Sequence, residues 1–67
     1  MDTGLVDKYG QEIYVGDILE SEYGYKVLVC HNKELGFYGS LICELDNSCR
    51  NIPYSLNDGT GYSIIVQ

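Results

Sequence analysis

A small all-β domain, folded as a strongly bent antiparallel barrel of about five strands, is what this 67-residue chain predicts, on three observations. No stretch of convincing length carries the apolar spacing of an amphipathic helix. Short β-prone runs are separated by turn signals at Asp7-Lys8-Tyr9-Gly10, Val15-Gly16-Asp17, Tyr23-Gly24 and Asn57-Asp58-Gly59. Gly36 and Gly39 fall inside the longest of these runs, where glycine permits a bulge or a barrel corner. A chain of this length makes one domain, residues 1–67, and buries only about 60% of its unfolded surface.

The segment from Thr3 to Leu19 organises the rest, because Ile13, Val15, Ile18 and Leu19 are available there to start a core. Met1 to Tyr9 reads as a loose or edge-lying segment anchored by Leu5 and Val6, and Gln11 to Tyr14 as a short strand. Ile18 to Tyr23 is the next strand, with Leu19 and Tyr23 inward and Glu20 and Glu22 toward water. After a tight turn at Tyr23-Gly24, the run Val27 to Cys30 is apolar on both faces and β-branched, the pattern of a central strand. His31-Asn32-Lys33-Glu34 forms a polar turn. Leu35 to Leu45 follows as a long, bent strand with Phe37, Leu41, Cys43 and Leu45 inward, and Asp46-Asn47-Ser48 turns the chain again. Pro53 confines Cys49 to Leu56 to an edge strand or one 3₁₀ turn, since it has no N–H to give a ladder. Gly61 to Val66 closes the chain, with Tyr62, Ile64 and Val66 on one face. Several short bent strands of this kind are expected to close into an SH3-like β-barrel, which removes exposed edges.

Composition narrows the function. Ten carboxylates against four Lys and Arg leave a net charge of −6, which disfavours direct contact with nucleic acid or an anionic membrane. Seven Tyr and no Trp suit a thin barrel wall or a binding face, because each ring is apolar with a wet hydroxyl. No apolar run approaches the roughly 20 residues that span a bilayer. The chain reads as cytosolic, with its three Cys reduced.

The residues Gly4-Leu5, Asp7-Lys8, Gly10, Glu12-Ile13-Tyr14 and Gly16-Asp17-Ile18 lie within TGLVDKYGQEIYVGDIL, a run that resembles the opening of the YopX family of phage and prophage proteins. The likeness covers Thr3 to Leu19, extends to Tyr25-Lys26-Val27, and becomes loose beyond about Asn32. It implies a phage or prophage accessory protein, in the cytoplasm of a bacterial host, with an SH3-like barrel. It implies no enzymatic activity and supplies no site residue.

Chemistry-bearing residues are few. Cys30, His31, Cys43 and Cys49 invite a zinc reading, but Cys43 and Cys49 lack the tight spacing of zinc pairs. Cys30 and His31 are neighbours on a strand and point to opposite faces, which also separates them as a nucleophile and base. No metal, cofactor or catalytic residue is expected. Asp7, Asp17, Asp46 and Asp58 sit at turn signals, where side-chain bonds to nearby backbone explain them. Glu20 and Glu22, joined by Glu12 or by Glu44 and Asp46, could form an acidic patch, with Tyr14, Tyr23, Tyr25 and Tyr38 as anchors. The expected function is protein–protein binding without catalysis. With phage origin and acidity taken together, the partner expected is a host protein with a basic nucleic-acid-binding surface. An inhibitor of a defence system such as a CRISPR effector is the sharpest form. The alternative is a structural or oligomerising module of a phage assembly, whose edge strands pair across subunits.

Overall fold

The structure, a computed structural model, describes residues 2–43, 45, 46 and 48–65, and the side chains of all of these but Cys49 and Asn51. The fold is all-β. Among the described residues there are seven strands and no helix: β1 (Asp2–Val6), β2 (Glu12–Tyr14), β3 (Ile18–Ser21), β4 (Lys26–Asn32), β5 (Gly36–Ile42), β6 (Cys49–Tyr54) and β7 (Tyr62–Ile64). All pairings are antiparallel. β1 and β2 form a hairpin, and the other five make one sheet in the order β6-β5-β4-β3-β7.

The expected barrel is therefore not closed, and the reason lies at β7. The outer edge of that strand is met by a turn instead of a strand. Its Tyr62 carbonyl accepts the Lys8 N–H at 2.9 Å, and its Ile64 N–H donates to the Asp7 carboxylate at 3.2 Å. The two sheets are joined there by a side chain and one amide. At the opposite end the β2–β3 turn bonds the middle of β4, through Gly16 N–H to Val29 O and Val29 N–H to Asp17 O.

Ile13, Leu19, Val27, Val29, Leu56 and Tyr62 form the core between the hairpin and the five-stranded sheet, with Leu5, Tyr25, Phe37, Tyr54 and Ile64 packed around it. Each large apolar side chain fully buried here contributes about 1.5–3 kcal/mol. β4 is central, as its two-faced apolar run predicts. Pro53 lies on β6, an edge strand, where a missing N–H costs no ladder bond.

Several inward assignments need correction. Tyr23 is 81% exposed because β3 ends at Ser21, so strand alternation does not reach it. Ser21 takes the buried position instead, and its hydroxyl accepts the Tyr23 N–H. Leu45 is 96% exposed because β5 ends at Ile42 and Leu45 sits in a turn. Val15 is exposed in the β2–β3 turn, and Ile18 is only half-buried, since Leu19 is the residue of that pair that faces the core. His31 and Asn32 continue β4, paired with Phe37 and Gly36, so the turn begins later at Lys33. The β5–β6 register shifts between Ser40 and Ile42, where two residue steps of β5 stand against the four from Cys49 to Pro53, so the extra residues lie in β6 and not at Gly39. Gly39 provides space: a Cβ there would stand 2.6 Å from Cγ2 of Val27. The assignments of Val66 and Asn47 lie outside the described residues.

The tightest approach is at Gly59. Its φ is +85°, and a Cβ would run into the carbonyl of Val6 and stand 2.9 Å from Cδ1 of Ile13. The Asn57-Asp58-Gly59 turn thus packs directly on the end of β1 and on the core.

Candidate functional site

The anticipated patch residues separate into three places. Lys26 pairs with both Glu20 and Ile42, and Ile42 pairs with Cys49, so the β3–β4 hairpin and the β5–β6 loop lie at one end of the sheet. Glu20, Glu22, Tyr23 and Asp46 belong to that end, and all four are exposed. Glu44 lies outside the described residues. Tyr14 is elsewhere, on the β1–β2 hairpin, and Tyr38 is in mid-strand on β5 opposite Cys30.

Charge at the hairpin end is thinner than the sequence suggests. Glu20 stands opposite Lys26 in the β3–β4 register, and Asp46 is 3.9 Å from Arg50. The Asp46 carboxyl is held below the usual range by the hydroxyl and the N–H of Ser48. Glu22 has neither arrangement. The Asp58 carboxyl, in the neighbouring 57–60 turn, is also held low, by the hydroxyl and N–H of Thr60.

Beside Glu22 the structure forms a cleft of about 220 Å³, lined by Glu22, Tyr23, Tyr25, Ser55, Asn57 and Tyr62 among others. Its position follows from the pairing of Ser21 with Tyr62 and from the bond of Glu22 N–H to Gly61 O, which brings the start of β7 against the hairpin. Asn57 reaches its wall through a left-handed φ of 54°, which Asn tolerates better than most side chains. Tyr25 stacks on Tyr54 with ring centroids 5.0 Å apart and meets Tyr62 edge-on at 6.3 Å. The Tyr62 hydroxyl donates to the Ser55 carbonyl at 3.2 Å, which leaves Tyr25 the donor in the 3.3 Å contact between the two hydroxyls. Burial, and then the Tyr25 contact, push the Tyr62 phenol well up. The cleft therefore offers hydroxyl groups, the exposed Tyr23 ring and one exposed carboxylate at the rim, while the Tyr62 ring is buried and one face of Tyr25 is covered by Tyr54. A cationic side chain suits such a site through the carboxylate and the Tyr23 ring together.

Tyr14 has a separate acidic neighbourhood. Its hydroxyl donates to Glu12 at 2.6 Å, and this bond, with the nearby charges of Glu12, Asp2 and Asp17, raises its pKa. Asp17 also accepts the Tyr14 N–H at 2.8 Å, the turn role expected of it.

Cys30 and His31 face opposite sides of β4, and the His31 ring lies 4.8 Å from Phe37. Cys43 is beyond the far end of β5 from Phe37, so the strand separates it from His31. Among the described residues, no group of three or more His, Cys, Asp or Glu is placed to hold a metal. No helix among them is long and apolar enough to cross a membrane.

Sequence reasoning did not find the cleft, because its walls come from residues 21–25 and 55–62, with no local motif joining them. The only local trace is Asn57-Asp58-Gly59, a turn signal that also positions Asn57. Compared with known proteins, the chain matches no family model, no curated protein and no solved structure.

Proposed function

We propose that this protein is a non-enzymatic phage or prophage accessory protein that binds a basic partner protein through its β3–β4 hairpin end. The tyrosine-walled cleft beside Glu22 is the observation that carries the reading. An Arg or Lys side chain of the partner enters the cleft, while Glu20, Asp46 and Asp58 steer its approach. The exposed Tyr23 ring covers the bound chain, a role for which interfaces favour Tyr. A surface that normally holds nucleic acid supplies such side chains, so occupying it blocks that function by the same electrostatics. The nuclease of a CRISPR system is one such target, and the resemblance of Thr3–Leu19 to phage and prophage proteins supports that setting.

Titrating the ¹⁵N-labelled protein with an Arg-rich decapeptide tests this. Resonance shifts are expected for residues 20–25 and 55–62, lost in Glu22→Lys and in high salt. Equal shifts around Asp2, Glu12 and Asp17 would reduce the effect to net charge and remove the site.

A further inference from the structure

We propose that Asp58-Gly59 is a site of spontaneous modification, aspartate isomerisation, which the folded turn holds shut and which becomes reactive when that turn leaves the core. Among the aspartates, Asp58 alone precedes a glycine, whose nitrogen no side chain crowds. The reaction uses only the chain and water. The Gly59 nitrogen attacks Cγ of the protonated Asp58 carboxyl, and an N–Cγ bond forms. The amide proton and the carboxyl hydroxyl leave together as water, which closes a five-membered imide. Water then reopens the ring. Addition at Cγ restores aspartate, whereas addition at the main-chain carbonyl leaves isoaspartate, with one CH₂ added to the backbone.

Three features of the turn oppose this chemistry. The nucleophile is engaged, because the Gly59 N–H donates to the Leu56 carbonyl at 2.8 Å. The electrophile is engaged as well. Asp58 Oδ1 accepts the N–H of Thr60 at 3.0 Å and its hydroxyl at 2.7 Å. These bonds favour the charged carboxylate and hold the group below its usual range, and a carboxylate has no hydroxyl to lose as water. The third feature is packing. Gly59 is buried against the Val6 carbonyl and Cδ1 of Ile13, and its own carbonyl accepts the Tyr62 N–H at 3.1 Å. Rotating the Gly59 nitrogen onto Cγ requires all of these contacts to break together.

The product does not fit back. The added CH₂ falls inside the turn that the Leu56–Gly59 bond closes, at the place where the chain is packed on Val6 and Ile13. Isomerisation thus makes one opening of the turn permanent. It also shifts Asn57, which lines the cleft beside Glu22.

The rate in the folded chain is the rate in a free segment multiplied by the fraction of time the turn is open. A turn seated on the core and open a tenth of the time or less slows the reaction about tenfold or more. The test incubates the protein and the free peptide 55–62 for weeks in the same mildly acidic buffer, and measures isoaspartate at position 58 by electron-transfer mass spectrometry. The peptide should isomerise about tenfold or more faster than the folded chain. Thr60→Val, which keeps the shape and removes the hydroxyl bond, should speed the folded chain by about two- to tenfold, with an unchanged far-UV spectrum confirming the fold. In the isomerised chain the ¹⁵N resonances of Val6 and Ile13 should move. Equal rates in peptide and folded protein overturn the proposal, as does a peptide that forms no isoaspartate. So does a folded Thr60→Val chain no faster than wild type, or an isomerised chain whose Val6 and Ile13 resonances stay in place.

Discussion

Asp7 provides the sharpest test of how the two sheets are held together. Its carboxylate is only 2% exposed and accepts three backbone amides, from Tyr9 and Gln11 at 2.9 Å each and from Ile64 at 3.2 Å. Burial raises the carboxyl's pKa, but the Gln11, Ile64 and Tyr9 amides together outweigh it and leave the group below its ordinary value. Asp7→Ala removes both acceptor oxygens and with them all three bonds. Tyr9 and Gln11 are exposed, so water recovers part of their loss at about 0.5–1.5 kcal/mol each, while the Ile64 amide costs about 1–3 kcal/mol. The sum, about 2–6 kcal/mol, is a large part of the ~3–10 kcal/mol expected for a domain of this size. Asp7→Asn can keep one acceptor oxygen for the Tyr9 and Gln11 amides but sets its NH₂, a donor, against the Ile64 N–H, and should lose about half as much. Because the folded pKa is depressed, this stabilisation is present above the unfolded value of about 3.9 and is lost as pH falls through the lower folded value. Asp46 and Asp58 are depressed as well and add slope in the same window, so the useful quantity is the difference between wild type and Asp7→Asn. Urea denaturation followed by far-UV circular dichroism should show that difference shrinking between neutral pH and about pH 2. A difference independent of pH would refute the role given to the carboxylate. An Asp7→Ala variant within about 0.5 kcal/mol of wild type would refute it equally.

Other outcomes follow from the same geometry. Gly59→Ala should cost about 2–4 kcal/mol in urea melts, combining left-handed strain with a collision against the Val6 carbonyl. Gly39→Ala should cost about 1–3 kcal/mol through Val27, and Val27→Ala in the same chain should recover part of it. Cys43 is held below the ordinary thiol value by the Arg50 side chain and then by the Leu45 amide. Its alkylation by iodoacetamide, followed by mass spectrometry against pH, should therefore begin at lower pH than in Arg50→Ala, and coincident profiles would exclude the Arg50 contact.

What could be read from the residues was local. Alternation and β-branching located β4, and Pro53 located an edge strand, since both act within a few residues. The Asx roles of Asp7, Asp17, Asp46 and Asp58 were legible for the same reason. Tyr23 and Leu45 escape alternation because β3 and β5 end before them, at Ser21 and Ile42. Strand ends depend on turn geometry, which alternation does not encode. The open barrel was illegible for a different reason. Its edge is satisfied by Asp7, whose bond to Ile64 spans 57 positions. The cleft shares that difficulty, since Tyr25 and Tyr62 meet only after β7 has paired with β3. The acidic patch was half legible: Glu20, Glu22 and Asp46 do share one end, but the opposing Lys26 and the nearby Arg50 emerge only from the register and the loop.

Affinity capture from a bacterial host lysate, using wild-type and Glu20→Lys/Glu22→Lys baits in parallel at low and high salt, tests the central claim most directly. A dominant basic, nucleic-acid-binding protein should be held by the wild type, released by salt, and missing from the variant. Identical capture by both baits, or recovery of nothing but the chain itself, would contradict a partner-binding role for the hairpin end.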